Sequence, residues 1–100
     1  MVAEVDKLAS YYAEVYKVFS NPRRLRILWL LADHEMSVSE IAEKLDTSVQ
    51  NTSQHLRIMK DKDILKSRRE GHAIFYSVGD HDLVKNNIGT NNSPGVAIIQ

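Results

Sequence analysis

One hundred residues, 43% of them hydrophobic, are enough for one compact core, and a second domain is not expected among them. Cysteine is absent, which excludes a disulfide framework, a thiolate metal site and thiol redox switching. Formal net charge is zero, which taken alone argues against a nucleic-acid partner. The charge is unevenly spread, however. Between Ser48 and His72 the basic Arg57, Lys60, Lys62, Lys66, Arg68 and Arg69 outnumber Asp61, Asp63 and Glu70, and the rest of the chain carries the compensating negative excess. The longest apolar run, Ile27 to Ala32, is too short to cross a bilayer, and Glu4 and Asp6 stand where an export leader is basic. A soluble, unexported, cytoplasmic protein without membrane contact is expected.

From about Glu4 to Phe19, the residues Val5, Leu8, Tyr12, Val15 and Phe19 recur at steps of three and four, one stripe of a helix. Tyr11, Tyr16 and Val18 widen it. A stripe this broad and tyrosine-rich suits either the domain core or a subunit interface. Asn21 before Pro22 starts a second helix, since Asn caps free amides and Pro at the first position loses no bond. Its Leu25, Ile27, Leu28, Trp29, Leu30, Leu31 and Ala32 make it apolar around most of its girth, the expected centre of the core. His34, between Asp33 and Glu35, is expected at that helix's end, where the dipole favours a cation.

Ser37 and Glu40 have the spacing of a capping box, and Ile41, Ala42 and Leu45 give a short helix over Val38–Leu45 one buried face. Asp46 and Thr47 break the pattern, and Ser48 caps a further helix running to about Lys60. This last helix combines apolar Val49, Leu56, Ile58 and Met59 with Gln50, Asn51, Thr52, Ser53, Gln54, His55 and Arg57. The segments Ile64–Arg69 and Ala73–Val78, rich in β-branched and aromatic residues, flank Glu70, Gly71 and His72 and predict a β-hairpin. A short helix is open from Asp80 to Lys85. Beyond it Asn86, Asn87, Gly89, Asn91, Asn92, Pro94 and Gly95 oppose regular structure, though Val96–Ile99 is apolar enough to dock.

The expected fold is mostly α with a small β-hairpin: a winged helix-turn-helix of four helices followed by two strands. Residues 1–85 form the domain, with the first helix for dimerisation, and residues 86–100 an irregular tail. A helix that reads base edges needs side chains that both donate and accept, and Gln50, Asn51, Ser53 and Gln54 supply them in the early turns of the second helix-turn-helix helix. Arg57 and Lys60 suit phosphate anchoring. Arg68 and Arg69 beside the hairpin turn suit phosphates or a minor groove, and because neighbours on a strand point to opposite faces only one is expected to make the main contact. His55 either touches DNA or packs beneath the reading helix.

The stretches FSNPRRLRILWLL from Phe19, SEIAEKLDTSVQNTSQHLRIMKDKDIL from Ser39 and KSRREGHAIFYSV from Lys66 resemble the ArsR/SmtB family of bacterial and archaeal repressors. The resemblance implies a homodimer on an imperfect palindrome of double-stranded DNA, with the Ser48–Lys60 helix as reader and the hairpin as wing. It also implies Ser48, Gln50, Ser53, Gln54 and His55 as leading DNA contacts. Dimerisation is assigned to Val5, Leu8, Tyr12, Val15 and Phe19.

Two metal sites are common in that family, and neither carries over. Cysteines of the first are replaced here by Ser37, Val38 and Ser39. The second aligns on Asp80, His81 and Asp82, where Asp82 replaces a histidine ligand and the downstream pair has no counterpart. No metal and no cofactor are therefore expected, and His72, Asp80 and His81 could join only in an unusual geometry. The sequence names no effector. Enzymatic activity is not expected, since no nucleophile elbow, phosphate loop or metalloprotease helix occurs. A winged-helix module for a protein partner is the alternative, motivated by the neutral net charge.

Overall fold

Three of the helices begin where their capping chemistry places them. The computed structural model describes residues 2–80, and within them the order is α1 (Val2–Phe19), α2 (Pro22–Leu30), β1 (Met36–Ser37), α3 (Val38–Leu45), α4 (Val49–Asp61), β2 (Leu65–Glu70) and β3 (Ala73–Val78). Asn21 accepts hydrogen bonds from the backbone amides of Arg23 and Arg24 at 3.0 and 3.2 Å, starting α2 at Pro22. Ser37 and Glu40 exchange both bonds of the capping box, at 3.2 and 3.0 Å. Ser48 accepts from the amide of Asn51 at 3.0 Å and opens α4. Between α3 and α4 the chain turns through Asp46 in the left-handed conformation (φ 53°), which aspartate tolerates better than most residues.

The core gathers Val15 and Val18 of α1, Ile27 and Leu28 of α2, Ile41 and Leu45 of α3, Leu56 and Met59 of α4, and Ile64 and Leu65 entering the hairpin. Full burial of each large aliphatic side chain is worth about 1.5–3 kcal/mol, so the four helices and the wing share one cooperative centre. The hairpin is antiparallel, with Glu70 opposite Ala73 and Leu65 opposite Val78. Gly71 holds φ +61° at the first position of its two-residue turn, the left-handed geometry a II′ hairpin wants there. At the other end the Gly79 amide donates to the Ile64 carbonyl at 2.8 Å and closes the base.

Several expectations need correction. A third strand exists: Met36 and Ser37 pair with Tyr76 and Phe75, giving a three-stranded sheet in the order β1-β3-β2. Two residues are too few to show period-two alternation. The second helix ends at Leu30 rather than Ala32, so His34 lies in the following loop instead of at a helix end. Thr52 is fully buried, its hydroxyl satisfied by the Ser48 carbonyl at 2.9 Å, and does not join the polar face of α4. Val49, one of the apolar residues of α4, is 50% exposed. Val15 is completely buried in the chain's own core and Phe19 packs against it, so the exposed apolar part of α1 is Val2, Val5, Leu8, Tyr11 and Tyr16. The proposed helix from Asp80 onward, the tail, and His81 lie outside the described residues.

Candidate nucleic-acid interface

At 3.6 residues per turn, the burial of Thr52, Leu56 and Met59 turns one face of α4 inward and fixes where every other side chain goes. Gln50 and Gln54 then point away from the core, and with Ser48 and Asn51 they line a shallow depression of about 160 Å³. Val49 and Ser53 lie on the flank toward the wing and share a groove of about 300 Å³ with Ser37, Ser39, His72 and Ile74. Asn51 and His55 occupy the opposite flank, toward α2. Five of the expected contacts, Ser48, Gln50, Asn51, Ser53 and Gln54, are thus gathered around the head of one helix, while Arg57 and Lys60 are exposed further along it.

The α2 flank contains groups that sequence reasoning missed. Arg23 donates from Nη1 to Asn51 Oδ1 at 3.2 Å, and Arg24 donates from Nε to His55 Nδ1 at 3.2 Å. Because Nδ1 accepts, His55 is neutral and carries its proton on Nε2. Partial burial, then the charges of Arg24 and Arg23, hold its pKa below the ordinary value. The signal was present in the sequence: three arginines in Asn21–Arg26 crowd the positive end of a helix dipole with no acidic residue in the first turn, a placement that costs stability.

The wing separates its two arginines. Arg68 is closed onto Glu35 through Nε and Nη2, bonded from Nη1 to Glu70 at 2.7 Å, and laid over the Phe75 ring at 4.7 Å. These contacts raise its pKa and lower that of Glu35. Arg69, on the other face of β2, has no ion pair among the described residues. Arg68 was expected beside it as a DNA contact, but its charge is already matched by two carboxylates.

His72 sits in the hairpin turn and Asp80 beyond the far end of β3, so six strand residues, about 20 Å, separate them. They are not brought together, and among the described residues no three histidine or acidic side chains cluster as metal ligands. No helix among the described residues is long and apolar enough to cross a membrane.

Comparison with known proteins agrees with this geometry. A family model for the helix-turn-helix domain matches residues 19–68. Over 71 residues the chain is 40% identical to the HTH-type transcriptional regulator KmtR of Mycobacterium tuberculosis, a match covering 71% of this chain and 55% of that protein. It is 31% identical over 80 residues to the transcriptional activator HlyU of Vibrio cholerae, covering 80% of this chain and 74% of the other. The solved structure of reduced HlyU superposes with a TM-score of 0.76 at 32% identity, over 86% of this chain and 90% of that one. A homodimeric winged helix-turn-helix DNA-binding domain from Mycobacterium bovis, described as a possible ArsR-family regulator, matches with a TM-score of 0.75 at 32% identity over 81% of this chain and 75% of that fragment. The capped helix pair, the wing and these matches together make the chain a member of the ArsR/SmtB-type family of winged helix-turn-helix transcriptional regulators.

Proposed function

We propose that the protein is a sequence-specific double-stranded DNA-binding repressor that acts as a homodimer and does not use the metal sites usual in its family. The convergence of Ser48, Gln50, Asn51 and Gln54 on the exposed head of α4 carries this reading, because these side chains both donate and accept as base edges in a major groove require. Ser53 and Val49 extend the surface toward the wing, where a valine methyl suits a thymine methyl. Arg57, Lys60 and Arg69 supply phosphate contacts, and a pair of domains related by two-fold symmetry reads two half-sites. The homodimeric domain from Mycobacterium bovis supports that arrangement by analogy. The proposed mode of repression is occlusion, with the bound dimer covering the promoter.

Selection from random duplexes, read by sequencing and followed by anisotropy at two salt concentrations, tests the reading. A two-fold symmetric motif with half-sites about 34 Å apart, bound more weakly as salt rises, supports it. Absence of any enriched sequence, with weak binding even at low salt, defeats it in favour of a protein-interaction module. Transcription in vitro from the selected site separates repression from activation.

A further inference from the structure

The concavity at the head of α2, about 320 Å³ and lined by Asn21, Pro22, Arg23, Arg26 and His55, presents donors to solvent and no free side-chain acceptor. Asn21 Oδ1 is occupied by the amides of Arg23 and Arg24, which leaves its NH2 group. The guanidinium groups of Arg23 and Arg26 only donate. His55 Nδ1 is occupied by Arg24, which leaves Nε2–H. None of Arg23, Arg24 and Arg26 has a carboxylate partner among the described residues. Their charges stack on the positive end of the α2 dipole, a cost that an anion removes.

The position of the concavity selects the anion. Arg23 and Arg24 are bonded to Asn51 and His55, on the flank of α4 opposite the one that faces the wing. If α4 lies in a major groove, this flank meets one groove wall while Arg69 and the hairpin meet the other. We propose that Asn21, Arg23, Arg26 and His55 form a backbone-phosphate site gripping the groove wall opposite the wing, with Arg24 as the positioning residue that holds His55 with its donor outward. The proposal rests on the DNA-binding reading above. Such a site fixes register and strengthens binding without reading sequence.

Arg26 is the clean probe, because it is exposed and bonds to nothing described. In R26Q the slope of log Kd against log salt is expected to fall by about 0.9, with affinity reduced roughly three- to tenfold near 0.15 M salt on selected and random duplexes alike. The selected motif should not change. Methylphosphonate substitution, one phosphate at a time across the site, should then reveal a position that weakens the wild type and leaves R26Q unaffected. A wild-type slope in R26Q, or no such position, overturns the phosphate site while the DNA reading stands. An amide or guanidinium NMR shift at Arg26 with inorganic phosphate but none with duplex assigns the concavity to a free anion and also overturns it. Wild-type protein that binds no duplex at all removes both proposals.

Discussion

Arg24 and His55 join the two helices that matter most: Nε of one donates to Nδ1 of the other across 3.2 Å, linking the central helix to the reading helix through an imidazole that must stay neutral. Protonation of Nδ1 would replace the hydrogen bond with two cations face to face, and Arg23 adds a third charge nearby.

This linkage gives folding a pH dependence of definite sign. Free in the unfolded chain, the imidazole takes up its proton through about 6.5, whereas in the folded protein it does so only at lower pH. As pH falls below 6.5 the unfolded state therefore binds more protons and stability drops; above that value both states are neutral and the effect vanishes. Glu14, Glu35 and Glu40 are all held below their ordinary 4.5, so the stability they contribute persists to more acid conditions and is lost outside this window. Urea unfolding at about pH 7.5 and about pH 5.5 should show a lower midpoint at the acid value, and H55Q should shrink that difference. An unchanged difference in H55Q would assign the acid sensitivity to other groups.

The wing makes a comparison between adjacent residues. Arg69 is the available cation, and Arg68 is spent on Glu35 and Glu70, so R69Q should weaken DNA binding more than R68Q. Releasing Arg68 should do the reverse: E35Q adds a free charge to the wing, steepening the salt dependence by up to about 0.9 and tightening binding to random duplex. Its melting temperature should scarcely move, because exposed ion pairs contribute little to folding. Equal losses in R68Q and R69Q would show that Arg68 leaves its carboxylates when DNA arrives.

Much of this was legible before any coordinates. Asn21-Pro22, Ser37 with Glu40, and Ser48 place helix starts because capping is local chemistry, decided within four residues. Tertiary pairing is not written that way. Nothing near Met36 announces that it will meet Tyr76, and nothing near Arg68 announces Glu35. The apolar stripe of α1 reads as continuous, yet Val15 enters the chain's own core while Leu8 stays 57% exposed, because only the C-terminal half of the helix packs into that core. Periodicity identifies a face and cannot say what covers it.

The two described glycines should respond to alanine for different reasons. At Gly79 an added Cβ would stand 2.5 Å from the Asp63 carbonyl oxygen and 3.1 Å from that of Ile64, both backbone atoms that cannot swing away. G79A should cost about 1–3 kcal/mol by overpacking and loosen the base of the wing. At Gly71 the space is open and only the positive φ is at stake, so G71A should cost about 1–2 kcal/mol, and G71N less. Equal effects of alanine and asparagine at position 71 would contradict the left-handed turn.

Dimerisation should separate from folding along α1. Leu8 and Val5 are both 57% exposed, and a charge there meets water in an isolated domain, within about 0.5 kcal/mol of neutral for folding. Val15 is fully buried, so V15E strands a carboxylate in the core at a cost of several kcal/mol. If the exposed half of α1 is the subunit interface, L8E should keep its helical circular dichroism, sediment as a monomer, and lose affinity for the two-fold site far more than for a single half-site, because the second half-site is then no longer held nearby. V15E should lose the helical signal itself. A folded L8E that still sediments as a dimer would move the interface off this face of α1, whereas a V15E that stays folded would contradict the packing of α1 on the core.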